Sequence, residues 1–214
     1  MRRPLILSLI VAIPAGIYAA WRPNSIGDVV GSSVALFGVA APNFWVAVLL
    51  ILVFGVILRW LPPSGFVRWT EDWVQNLRYM LLPSITLGTG LMAVVMRMTR
   101  SGLQEVLRQD YIRTARSKGL LERTILSRHA LKNAMIPVVT IVGLQVGRIM
   151  GGAVIVEQMF SLPGLGKLIV DAIFLRDYPV AQGGVLVTTL LFVGVNLIVD
   201  VAYAYLDPRI RYGA

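Results

Sequence analysis

The sequence predicts an all-α polytopic membrane protein of about five transmembrane helices. Three observations carry that prediction: 57% of its 214 residues are hydrophobic with a mean hydropathy of +0.74, only 14% are charged, and the charges leave several runs of span length untouched. An ordinary soluble domain is roughly 45–50% apolar and about 25% charged. So few charges could not cover a soluble globule of this length, and disorder needs the opposite composition.

A bilayer span needs about 20 mostly apolar residues, within a range of roughly 17–25. Leu5–Ala20 is the first and shortest candidate, rising only about 24 Å at 1.5 Å per residue. Its Pro14 is tolerable where neighbouring groups satisfy the freed carbonyl. Arg2-Arg3 followed by an apolar stretch and small residues also fits a secretory signal peptide, a reading that four further spans make unnecessary. Val29–Leu58 holds 30 residues without Asp, Glu, Lys or Arg and is broken only by Pro42-Asn43. It predicts one long or kinked span centred on Val34–Leu58. Tyr79–Met96 is the next uncharged run, with Pro83 near its start and Gly88 and Gly90 inside. Ala134–Val156 follows, interrupted by Arg148, and Tyr178–Val199 is the last, closed by Asp200 and Val201–Leu206.

The net charge of +9 would suggest nucleic acid if the basic residues formed a soluble face. They do not: nine of the 20 Lys and Arg lie between Arg97 and Lys132. The chain has no cysteine, which excludes disulfides, thiolate nucleophiles and Cys-ligated zinc. Its one histidine, His129, cannot build a multi-histidine metal site within one chain.

Orientation follows from the loops. Arg97–Asn133 carries nine basic residues against Glu105, Asp110 and Glu122. Glu157–Asp177 carries two, Lys167 and Arg176, against three acids, and Arg59–Arg78 three against two, with Trp69 and Trp73 as interfacial anchors. The positive-inside rule puts Arg97–Asn133 in the cytoplasm and the other two loops outside. The C-terminus, with Arg209 and Arg211, then falls in the cytoplasm. An odd span count puts Arg2-Arg3 outside, against the same rule, and that conflict suggests a chain that lacks an upstream helix or starts at an internal methionine.

Loops between membrane helices are usually short, so the periodicity of Arg97–Asn133 asks for explanation. Leu103, Leu107, Tyr111 and Ala115 recur every four residues, beside Val106 and Ile112. Glu105, Arg108, Asp110, Arg113, Arg116 and Lys118 fill the other face. Gly119 then ends the helix, as glycine does at a left-handed C-terminal position. Leu121, Ile125 and His129 start a second stripe running to Pro137. The pattern predicts a helix–glycine–helix beneath the membrane. An interfacial helix with Arg and Lys near anionic headgroups would share it. A DNA-binding helix-turn-helix would not, since membrane spans pin both flanks.

Within this loop, Asp110-Tyr111-Ile112-Arg113-Thr114-Ala115-Arg116-Ser117-Lys118-Gly119-Leu120 resembles the EAA loop of binding-protein-dependent ABC importer permeases. The resemblance continues through Arg128-His129-Ala130-Leu131-Lys132-Asn133-Ala134-Met135-Ile136-Pro137. That form is similar to the peptide/nickel branch, and most to its B-type dipeptide or oligopeptide permease subunits. Pro42-Asn43-Phe44-Trp45, Phe160-Ser161-Leu162-Pro163-Gly164-Leu165-Gly166 and Leu206-Asp207-Pro208-Arg209-Ile210-Arg211-Tyr212-Gly213 agree, so the likeness covers nearly the whole chain. Two departures stand out. Arg113-Thr114-Ala115 occupies the place of the general Glu-Ala-Ala, so the role of that acid does not carry over. B-type subunits also typically have one more N-terminal helix and an external segment before the part that matches Leu5 onward.

The resemblance implies one transmembrane permease domain over residues 1–214, in a multi-pass protein of the cell membrane, with a coupling loop at about 103–133. Tyr111, Arg113, Thr114, Ala115, Arg116, Lys118, Gly119 and Leu120 would dock on a cytoplasmic ATPase and pass on its motion. The implied partners are a second permease subunit, two ATPase subunits, an external substrate-binding protein and the lipid bilayer. ATP and magnesium would be bound on the ATPases, and no cofactor or metal by this chain. The expected cargo is a di- or oligopeptide, with nickel, glutathione or another small solute as the rival within the branch. A secondary transporter, the rival from another class, would need broken helices in both halves.

Other residues read less sharply. Arg148 inside a span costs at least about 2.5–3.5 kcal/mol on insertion scales, so it faces protein or a watery path. Gln145, one helical turn earlier, would make a polar stripe with it along a translocation path; a structural ion pair or snorkelling to the interface is the alternative for Arg148. Gly143, Gly147, Gly151 and Gly152 have the spacing of close helix packing. Glu157 and Asp200 sit at span ends and read as boundary markers, with a role on the path as the alternative for each. Pro163-Gly164-Leu165-Gly166-Lys167 lacks the first glycine and the Ser or Thr of a phosphate loop. No paired catalytic set is present, so the chain is expected not to be an enzyme.

Overall fold

The computed structural model describes residues 2–206, with the side chains of 2–4, 140, 144, 146–152, 199, 200 and 202–206 outside the description. Among the described residues the regular structure is all helical. In chain order the helices are α1 Arg2–Trp21, α2 Ile26–Ala40, α3 Asn43–Leu50, α4 Trp73–Leu107, α5 Asp110–Ser117, α6 Glu122–Thr124, α7 Leu131–Met159, α8 Leu165–Phe174 and α9 Tyr178–Leu206. Two π-helical stretches, Ile51–Ile57 and Ile125–Ala130, extend α3 and join α6 to α7.

Each expected span has its helical counterpart. Leu5–Ala20 lies in α1, with Pro14 inside the helix. Tyr79–Met96 lies in α4 and Tyr178–Val199 in α9, both long and apolar enough to cross a bilayer unaided. Ala134–Val156 lies in α7. The run Val29–Leu58 is the exception to a simple span, because the chain breaks between Ala40 and Asn43 into separate helices. Pro42 has φ −64 and ψ 141, an extended conformation that stops one helix and caps the next.

Three loop expectations need correction. First, α4 is 35 residues long, about 52 Å at 1.5 Å per residue. It therefore runs past Arg97 to Leu107, and the first part of the expected loop, 97–107, is a continuing helix. Second, the stripe Leu103–Ala115 is not one helix. Gln109 is extended, with ψ 152, and separates α4 from α5. Third, the connection Glu157–Asp177 contains a ten-residue helix, α8.

Contacts group the chain into two compact units. One comprises Leu5–Ala40 and Thr89–Val142. Its centre is an ion pair. Asp28, 2% exposed, accepts from Arg100 Nε at 2.5 Å and Nη2 at 2.8 Å, from the Asn24 amide at 2.9 Å and from Ser32 Oγ at 3.2 Å. A carboxylate this buried is tolerable only when its lone pairs are so fully used. Ser25 caps α2, its Oγ accepting the Asp28 amide at 3.2 Å. The same unit holds a core of Ala20, Leu103, Val106, Ile112, Ala115, Ile125, Ala130 and Ala134. Breaking the stripe at Gln109 lets the end of α4 and the inner face of α5 share that core; a straight helix could not fold back on it.

Among the described residues the other unit comprises 2–4, Ala41–Gly88 and 143–206. Ala47, Leu82, Val156 and Phe160 form its core, flanked by Phe54, Leu61, Leu87 and Leu162. The segment after the Ile51–Ile57 stretch folds back on the end of α7, the Gly65 amide donating to Phe160 O at 2.9 Å. α8 approaches α7 closely: a Cβ on Gly166 would come 2.7 Å from Val154 Cα. Glu157 accepts the Lys167 amide at 3.1 Å across this contact.

Candidate functional site

The segment 103–134 builds a folded surface rather than a floppy connection. α5 starts after extended Gln109 and presents Ile112 and Ala115 inward, 0% and 8% exposed, while Arg113, Thr114, Arg116 and Lys118 face out. Asp110 in the first turn and Arg116 in the last complement the helix dipole. Thr114 Oγ1 donates back to Asp110 O at 3.0 Å.

The helix ends in a Schellman motif. The Leu120 amide donates to Ala115 O at 3.3 Å, and the Gly119 amide to Arg116 O at 2.9 Å. These are the two reversed bonds that close such an end, with the left-handed residue between. That residue is Gly119, at φ +74. The expectation that a glycine reverses the chain here in a left-handed conformation is met. Nothing lies within 4 Å of where its Cβ would be, so the requirement for glycine comes from the backbone alone.

Two side-chain ties fix the turn. Arg116 Nε and Nη2 donate to the two carboxylate oxygens of Glu122, at 2.6 and 3.3 Å, spanning Gly119. This hydrogen-bonded carboxylate holds the Arg116 guanidinium above its ordinary value. Asn133 Nδ2 donates to Tyr111 Oη at 2.9 Å, and Tyr111 Oη donates to His129 O at 3.4 Å, tying α5 to the start of α7. Sequence periodicity looks three and four residues along one helix. Glu122 and Asn133 are six and 22 residues from their partners, across a turn, and so carried no signal.

The second stripe is corrected by the π-helical stretch. Leu121 and His129 are exposed, Leu121 at 76%, and the buried positions are Ile125, Ala130 and Ala134. The step from 125 to 130 is five residues, one i→i+5 turn, before the spacing returns to four. A stripe counted every four residues leaves the core at that point.

The surface left open combines apolar and cationic groups. Tyr111, Leu120 and Leu121 are 39%, 40% and 76% exposed, beside exposed Arg113, Lys118, Arg123 and Arg128. Ala115 belongs to the seat of α5 rather than to this surface. Apolar tips rimmed by charge suit a protein partner, since burial of the tip supplies affinity and the rim orients it.

The residues expected on a translocation path stand elsewhere. Gln145 is half-buried on α7, in the other unit. The side chain of Arg148 lies outside the described residues, as do those of Gly147, Gly151, Gly152 and Asp200. The terminal motif Asp207–Gly213, including Arg209 and Arg211, is also outside them. Lys167, in the stretch that resembles a phosphate loop, pairs with Asp171 at 2.9 Å.

Comparison with known proteins agrees with this architecture. Residues 12–212 match the family model described as binding-protein-dependent transport system inner membrane component. The chain is 43% identical to the dipeptide transport system permease protein DppB of Alkalihalophilus pseudofirmus, over 97% of this chain and 68% of that protein. It is 44% identical to the oligopeptide transport system permease protein AppB of Bacillus subtilis, over 97% and 66%. It is 43% identical to the dipeptide transport system permease protein DppB of Escherichia coli K12, over 97% and 68%. The chain thus spans about two thirds of the length of these curated relatives. With a family match running almost from end to end on an all-helical, multi-pass membrane protein, the chain belongs to the family of binding-protein-dependent transport system inner membrane components.

Proposed function

We propose that this chain is a membrane-spanning permease subunit of an ATP-driven ABC importer that carries di- or oligopeptides across the cytoplasmic membrane. The observation that carries the reading is the folded, exposed turn α5–Gly119–α6, tied at both ends, in a chain 43–44% identical to named dipeptide and oligopeptide permeases. A turn held by a bidentate ion pair and a reversed helix end can transmit a rigid push. Tyr111, Arg113, Thr114, Arg116, Lys118, Gly119 and Leu120 form or hold the docking surface, and Ala115 seats it. Two ATPase subunits bind ATP and magnesium and supply the push. A second permease subunit completes the path, and an external binding protein delivers the peptide. Gln145 and Arg148 line the path. The chain catalyses no reaction itself.

In this orientation Arg97–Asn133 and the C-terminus are cytoplasmic, while Arg59–Arg78 and Glu157–Asp177 are external. The charge excess of nine basic residues to three acids in the first segment supports it. The chain has no cysteine of its own, so Ser117→Cys and Ser161→Cys report cleanly. An impermeant thiol reagent should label them from opposite sides, and labelling from the same side would rule the orientation out. The function itself is tested by reconstitution with the partner permease, the ATPases and the binding protein. Labelled dipeptide should accumulate only with hydrolysable ATP. Saturable, ATP-independent uptake by this subunit alone would overturn the reading in favour of a secondary transporter.

A further inference from the structure

The unit formed by 41–88 and 143 onward contains a cavity of about 540 Å³. That size falls within the roughly 300–1,000 Å³ of small-ligand pockets. Its floor includes the buried polar residues Asn76 and Ser84, 3% and 4% exposed. Phe66 and Trp69 stand in its wall with their rings largely exposed. Arg68 and Glu157 also line it.

These two charges are not partners of each other. Among the described residues Arg68 makes no ion pair within 4.0 Å, and Glu157 makes none either. Next to Arg68 the Asn76 side-chain amide donates to Val67 O and pins the loop backbone. Glu157 is held from the other side. Its Oε2 accepts the Lys167 amide, and its carboxyl occupies the space beside Gly164, where a Cβ would come 2.0 Å from Glu157 Cδ. Oε1 is left for another donor. One cavity is therefore lined by an arginine and a carboxylate, the carboxylate held in place and neither neutralised by the other, with aromatic surface beside them.

We infer that this cavity is a subsite for a short zwitterionic peptide. Arg68 takes the free α-carboxylate, to which a guanidinium can donate two parallel hydrogen bonds. Glu157 takes the free α-ammonium. Phe66 and Trp69 cover the side chains between, in a manner indifferent to their identity, as a carrier of many peptides needs. A single charge would select an anion or a cation. The pair selects molecules carrying both. The inference rests on the proposed peptide-importer reading and adds a location and two recognising residues to it. It also gives Glu157 a role beyond marking the end of a span.

The test is uptake of labelled dialanine by the assembled transporter in proteoliposomes, with its C-amidated and N-acetylated forms as probes. Arg68→Gln and Glu157→Gln are compared with the parent at equal membrane abundance. Each should raise the apparent KM for dialanine tenfold or more, and Arg68→Lys should recover part of the loss. The loss should be charge-matched: Arg68→Gln should cost nothing further on C-amidated dialanine, and Glu157→Gln nothing further on the N-acetylated form. Such a cycle cancels the discrimination that the binding protein makes before delivery. Equal losses on all three probes would mean that the residues are structural and would overturn the subsite. Parent-like KM values in both variants would overturn it too, with the importer reading intact. Absence of ATP-dependent dialanine uptake by the parent transporter would instead remove the peptide reading and this inference with it.

Discussion

Replacing Gly119 by valine isolates the mechanical role of the turn. Gly119 sits at φ +74 with open space around its Cβ position, so a larger side chain meets no neighbour there. The cost is the left-handed backbone itself, about 1–2 kcal/mol for a β-branched residue. Asparagine visits this region readily and should lose only a few tenths of that. A cost of one or two kcal/mol is too small to unfold a bundle of membrane helices. It is large enough to lower the population of the reversed turn roughly five- to thirty-fold relative to an opened one.

Gly119→Val should therefore insert at normal abundance while ATPase association and peptide uptake fall together by about that factor. Gly119→Ala should fall between, and Gly119→Asn should stay near the parent. The assay is co-purification of the ATPase subunits with the permease, alongside uptake at saturating peptide. An interfacial helix that merely lies on lipid predicts a different order. Uptake would then tolerate Gly119→Val and drop when Arg113, Arg116 and Lys118 are removed together. A Gly119→Val subunit that couples ATP hydrolysis to uptake at the parent rate would refute the reasoning.

Three further outcomes follow from the geometry. Arg116→Glu or Glu122→Arg alone should weaken ATPase association, while the double exchange should restore it in part; the pair is about half exposed, so its direct stability contribution is under about 1 kcal/mol and the Tm in detergent should barely move. Asp28→Asn strands Arg100, whose side chain is 29% exposed, and should cost about 3 kcal/mol, near the low end for breaking a buried pair. The check is a lowered Tm in detergent, with partial recovery in Asp28→Asn combined with Arg100→Gln. Gly166→Ala puts a Cβ 2.7 Å from the Val154 backbone and should cost about 1–3 kcal/mol by pushing α8 off α7. Limited proteolysis between Ser161 and Tyr178 should speed up, and an unchanged rate would show that α8 is not seated there.

Much of this was legible in the sequence because the bilayer writes in long runs. Uncharged stretches of about 20 residues have few alternatives to a spanning helix, and each is helical here, with Val29–Leu58 broken into separate helices at Pro42. Gly119 was legible because helix reversal needs one backbone conformation that glycine alone adopts freely. Pairings over distance were not legible. Asp28 and Arg100 are 72 residues apart and meet only after α2 and α4 pack. Glu157 reads as a span boundary in the sequence, and its place in one cavity with Arg68, 89 residues away, carries no local signal. The break at Gln109 carries no proline or glycine to announce it, and the core that α4 and α5 share is what demands it.

The π-helical stretch Ile125–Ala130 accounts for part of the difference between the expected second stripe and the observed surface. One i→i+5 turn rotates every following side chain relative to a four-residue count. Leu121 precedes that turn and is exposed for another reason: it is the extended residue before α6, at ψ 139, and stands 76% exposed next to Leu120, so the rotation falls only on the residues after Ile125. The same shift brings Ala130 and Ala134 under α5, where small side chains let Ile112 and Ala115 seat closely. Two local irregularities, extended Leu121 and the π turn, thus set the exposed apolar tip and the tight seat of α5. That is why the expected stripe and the observed surface differ at Leu121 and His129 and agree at Gly119.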